Sequence, residues 1–124
     1  MTYITGLDHL QLAMPAGEEA QARMFYGALL GLTELEKPPE LAPRGGVWFA
    51  LGHQALHLGV DTPFTPARKA HPAFSVPGLS ALKERLEAAD IATVNDTALP
   101  HVRRFYAADP FDNRLEFVQQ GSRF

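Results

Sequence analysis

One order of elements occurs twice in this chain, and it constrains the fold more than any single motif does. Residues 7–13 alternate as a strand, with Leu10 and Leu12 on one face and Leu7, His9 and Gln11 on the other. The run Met14, Pro15, Ala16, Gly17 breaks it. Glu18 and Glu19 place acid in the first turn of a helix that runs to about Leu30, where the helix dipole favours it. Met24, Phe25, Ala28 and Leu29 form its apolar stripe, and Gly31 stands where a C-terminal cap belongs. Residues 33–37 read as a short strand ended by Pro38 and Pro39. Residues 47–51 and 55–60 give two more, joined by Gly52, His53 and Gln54.

Residues 61–70 carry Pro63 and Pro66 and no apolar period, which predicts a linker. The order then starts again. Residues 71–76 predict a strand, Pro77 and Gly78 a break, and Leu79, Leu82 and Leu86 a helix to about Asp90. Strands follow over 91–94, 103–108 and 114–119, the last preceded by the turn 109–113. His9 and His71 are 62 positions apart, and His57 and Glu116 are 59 apart. The repeat lies in pattern, since identity between the halves is negligible. Half-domains of about 60 residues are too small to be reliably stable alone, so modules over about 5–60 and 71–120 are expected to pack as one domain, within a chain or by exchange between chains.

Composition narrows the function. With 124 residues, 46% of them hydrophobic and 20% charged, the chain has a globular balance. A net charge of -3 provides no basic face for nucleic acid or an anionic membrane, so neither is expected as a partner. No cysteine is present, which leaves His, Asp and Glu as metal ligands and fits a reducing cytoplasm. No run approaches the roughly 20 apolar residues that span a bilayer, and no basic segment followed by an apolar one opens the chain. The expectation is a soluble cytoplasmic protein.

Strand parity then isolates four side chains. Leu10 and Leu12 need the core, so His9 turns away from it; Leu56, Leu58 and Val60 do the same for His57. Phe74 and Val76 leave His71 on the far face, and Leu115 and Phe117 leave Glu116 there. Pro72 pushes His71 into an extended conformation and removes an amide from the ladder. Three imidazoles and a carboxylate suit a first-row divalent ion: Fe, Mn, Co, Ni or Zn. Trp48 alternates away from Val47, Phe49 and Leu51 and is expected to wall a substrate pocket. Arg103 and Arg104 point to opposite faces, and Arg103 is assigned to that pocket. His53 and His101 fall in a turn and a loop and are expected at the surface.

These residues resemble the vicinal oxygen chelate superfamily of glyoxalases, bleomycin-resistance proteins and extradiol dioxygenases. The matching pieces, in order, are the run from Leu7 to Leu12, Phe25-Tyr26 with Leu30-Gly31-Leu32, the run from His71 to Phe74, and the run from Asp109 to Phe117. The resemblance implies an α+β fold in which two βαβββ modules form a cupped mixed sheet with helices on the outer side. It implies metal ligands on the first, fourth, fifth and eighth strands, which map onto His9, His57, His71 and Glu116. His57 stands where glyoxalase I has Glu, as a fourth ligand or a base, and with Glu116 it is the expected catalytic pair. Asp112 stands in place of the usual Gly and tolerates the left-handed conformation well. The implied function is a metal-dependent lyase, isomerase or oxygenase, acting on a small substrate that chelates the ion through adjacent oxygens, and the sheet edges of two modules, which a second chain can cover, predict a homodimer. The competing reading is a metal-free ligand-binding protein of the bleomycin-resistance type.

Overall fold

The first strand begins and ends later than the alternation predicts: β1 is His9–Met14. Leu7 is 72% exposed, whereas Met14, read from the sequence as part of the break, is the fully buried last residue of the strand. A helix follows, α1, with ordinary turns over Glu19–Ala22 that widen to π-helical turns over Arg23–Leu29. The amide of Leu30 bonds back to the Phe25 carbonyl at 2.9 Å. Widening changes which residues face inward. Ala22, Phe25 and Tyr26 are buried, and Met24, expected in the core stripe, is exposed. Gly31 holds a positive φ of 78°, as its cap position requires.

Three strands complete this half: β2 (Glu34–Leu35), β3 (Val47–Leu51) and β4 (Gln54–Val60). The second half has β5 (Ala73–Val76), α2 (Leu79–Ala88), β6 (Val94–Asn95), β7 (Arg104–Ala108) and β8 (Arg114–Gln119). The computed structural model describes residues 1–124 and divides them into two units, Met1–Phe64 and Thr65–Phe124. The sheet orders are β1-β4-β3-β2 and β5-β8-β7-β6, so the two halves share one topology. In each, the first strand runs parallel to the last because a helical crossover intervenes, and the remaining pairs are antiparallel. The architecture is α+β with two βαβββ modules.

Parity holds in both sheets. Leu56, Leu58 and Phe49 are fully buried in the first unit, and Leu115, Phe105 and Phe117 nearly so in the second. His71 lies just before β5, not in it. Pro72 cannot donate to the ladder, though its carbonyl still accepts from the Glu116 amide at 3.0 Å. Two local devices place the strands. Gly46 has φ 83°, a Cβ there would lie 2.1 Å from the Leu58 carbonyl oxygen, and its amide donates to Glu19 Oε2 at 2.8 Å. In the turn before β8, Asp109 Oδ1 accepts from the amides of Phe111 and Asn113 at 2.9 Å while Asp112 takes a left-handed φ of 68°.

Candidate functional site

In the first unit, Gln11 and Trp48 are the register partners of His57 on either side of β4. Side chains in register share a face, so the His57 ring meets the Trp48 indole, 3.8 Å between centroids and 2° from parallel. His9 reaches diagonally across from β1 and stacks on the same imidazole at 4.4 Å and 21°. His57 is therefore buried, at 9% exposure, on the face opposite Leu56 and Leu58. Burial pushes its pKa below the ordinary imidazole value, and neighbouring His9 adds to the shift. Neutral His57 can accept a proton. His9 is half-exposed, and its Nδ1 pairs with Asp8 Oδ1 at 2.9 Å, which leaves Nε2 free. The stacked rings are nearly parallel, so their in-plane lone pairs do not converge on one point about 2 Å from both. Beside Trp48 is a cavity of about 240 Å³, walled by Gln11, Lys37, Leu41 and Arg44.

The second unit is built on charge. His71 Nδ1 lies 2.8 Å from the Lys69 carbonyl, and its Nε2 lies 2.9 Å from Glu116 Oε1. The other carboxylate oxygen of Glu116 accepts from Arg104 Nη1 at 3.2 Å, and Arg104 Nη2 pairs with Asp96 Oδ2 at 3.1 Å. Burial pushes the Glu116 carboxyl up, but hydrogen bonds from His71 and Arg104 and the guanidinium charge more than offset it, and its pKa lies below the usual range. Tyr106, the register partner of Glu116, abuts the His71 ring edge-on at 5.4 Å. Burial and the Glu116 charge push the Tyr106 pKa up.

A carbonyl and an ionised carboxylate are both acceptors, so both nitrogens of His71 face oxygens that cannot donate. A neutral ring donates to only one of them, so the second contact lacks a proton unless the ring is protonated or a metal ion takes that nitrogen. A histidine whose Nδ1–H is held by a backbone carbonyl keeps Nε2 for a ligand, as metal-binding imidazoles commonly do. The donor chemistry of this half fits a divalent ion. Neither half by itself gathers three such ligands.

The sequence missed Arg104. Its neighbour Arg103, expected in the substrate pocket, instead reaches Ser80 Oγ on α2 at 2.8 Å, while Arg104 takes the face of Glu116. Alternation announced that only one of the two could do so, and nothing in the sequence says which. Trp48 does share the face of His57, and His53 and His101 are exposed.

The chain is 48% identical to a crystal structure of a protein assigned to the glyoxalase family from Bacillus anthracis, with a TM-score of 0.93 over 97% of this chain and 98% of that one. The chain belongs to the glyoxalase family of the vicinal oxygen chelate superfamily. More distant structures share the fold. A fosfomycin resistance protein, FosX, from Listeria monocytogenes, complexed with Mn(II) and 1S,2S-dihydroxypropylphosphonic acid, is 16% identical, with a TM-score of 0.77 over 94% of this chain and 93% of that one. TnmS3, an antibiotic-binding protein from a Streptomyces species, is 19% identical, with a TM-score of 0.73 over 98% and 100%. No family model and no curated protein matches the chain. No helix is long and apolar enough to cross a membrane.

Proposed function

We propose that this glyoxalase-family chain is a metal-dependent enzyme in which His9, His71 and Glu116 hold a divalent ion, with neutral His57 as the base. The observation that carries this reading is the His71–Glu116 contact: with Nδ1 held by the Lys69 carbonyl, Nε2 and Glu116 Oε1 lie 2.9 Å apart as neighbouring donors for one ion. A bound Fe, Mn, Co, Ni or Zn supplies Lewis acidity toward a substrate that presents adjacent oxygens. Arg104 keeps Glu116 ionised and leaves one of its oxygens for the ion. Asp8 fixes the ring of His9 from behind. His57, held flat against Trp48, accepts a proton at a ring nitrogen, and the Trp48 face walls the pocket against water. A carboxylate is absent at the His57 position, so shuttling a proton between adjacent substrate carbons is weakly supported and isomerisation of hemithioacetals is expected to be poor. Homodimerisation and a cytoplasmic location belong to the same reading. The dimer is expected because β1 and β5 are edge strands of their sheets.

One observation favours a second reading. Arg104 neutralises Glu116 without a metal, and the Trp48–His57 stack offers a flat surface to a planar ligand, as a metal-free binder needs. Metal analysis of freshly purified protein separates the two. Stoichiometric divalent ion, lost in His71→Ala and Glu116→Ala, supports the enzyme. Metal-free protein that takes up none of the five ions on dialysis overturns it in favour of the binder.

A further inference from the structure

One cavity belongs to the second unit and to neither histidine pair. It holds about 360 Å³ and is walled by Leu79, Ser80 and Lys83 of α2 and by Asp96, Val102 and Arg103. Small-ligand pockets begin at about 300 Å³. Arg103 alternates with Arg104, so this cavity lies on the α2 face of its sheet, which Glu116 turns away from. Two cations of its lining are already paired, Lys83 with Glu87 at 3.0 Å and Arg104 with Asp96 and Glu116, which leaves Arg103, and its one acid is Asp96. That acid is already committed. Its two oxygens accept from Arg104 and from the Ala98 amide, at 3.1 and 3.0 Å.

Arg103 has no carboxylate partner; its guanidinium donates to the Ser80 hydroxyl, which can itself turn to donate. Arg103 is thus the one cation of this wall without an acid, and the floor beneath it is apolar, with Leu79 and Val102 at 5% and 3% exposure. We propose that the cavity binds a small organic anion, a carboxylate or phosphate ester on a short apolar or aromatic body. The anionic head sits on Arg103 and Ser80, and the body packs on Leu79, Leu99 and Val102. A charged head without a body would leave the floor wet, and a neutral ligand would leave Arg103 unpaired. This site does not depend on the metal reading of Glu116.

Isotope-labelled full-length protein titrated with benzoate, phenyl phosphate and benzyl alcohol tests it, read by amide shifts. Saturating shifts at Ser80, Lys83, Thr97 and Arg103 are expected with at least one anion and not with the alcohol, and the anion that saturates identifies the head group. Arg103→Met should weaken binding about tenfold or more, the size of a lost charge-assisted hydrogen bond, and Arg103→Lys should recover part of it. Should Arg103→Met fail to fold, Ser80→Ala and Arg103→Lys decide on the same scale, each expected to bind more weakly than wild type. Saturation by neither anion, equal binding of benzyl alcohol, or wild-type affinity in these variants overturns the site. Shifts confined to Trp48, His57 and Glu116 would overturn it as well.

Discussion

The first half presents its histidines as stacked rings, and the second presents its histidine within a chain of charges. Both halves share one topology, and the parallel pair β1–β4 carries His9 and His57 where β8 carries Glu116 and the second position before β5 carries His71. In the first, Trp48 and His9 sandwich a ring that burial keeps neutral. In the second, Asp96, Arg104, Glu116 and His71 follow one another along one line of contacts. A repeated topology therefore sets where a side chain emerges, not what it meets there. The neighbouring strand decides that: β3 supplies Trp48 beside His57, and β7 supplies Arg104 and Tyr106 beside Glu116.

The largest effects should be common to both halves. Phe49→Ala and Phe105→Ala each remove a buried ring from equivalent sheet faces and should cost about 3–5 kcal/mol by denaturant unfolding. A loss near zero for either ring would mean that its half lacks the shared core. The halves should diverge on metal. Glu116→Ala should lower metal affinity by more than the roughly 10–100-fold of an indirect substitution, whereas His57→Ala should stay within that range. Equal losses in isothermal titration would erase the distinction drawn between them.

A smaller effect sharpens the account of the stack. Trp48→Ala gives water access to His57, so its pKa should rise toward the ordinary imidazole value, followed by ring-proton resonances during titration. An unmoved or lower value would show that the indole is not what desolvates His57. The smallest concerns Glu19, whose pKa lies below the usual range because its carboxylate accepts from the Gly46 amide. A depressed folded pKa stabilises the fold above the unfolded value, near pH 4, and the contribution is lost as pH falls through the folded value. Glu19→Gln should thus cost about 1 kcal/mol at neutral pH and progressively less in acid. A constant difference across that range would assign the loss to packing.

Strand periodicity alone separated Leu56 and Leu58 from His57, and Leu115 and Phe117 from Glu116, because a period of two admits only two faces. The same logic ordered the repeated modules and put Trp48 on the face of His57. Periodicity misled where the backbone departs from regular geometry. The π-helical turns rotate Met24 outward, and Met14 continues a strand that Pro15 and Gly17 predict to end sooner. Other features depend on partners distant in sequence. Arg103 and Arg104 are chemically the same residue, and which of them pairs with Glu116 follows from the register of β7 against β8, with Asp96 anchoring the far side of the guanidinium. The depressed pKa of His57 has the same origin. Sequence determined which face each donor takes, since that is local geometry; tertiary structure decided what each donor pairs with, since charge and ring contacts form only between strands brought together by the fold.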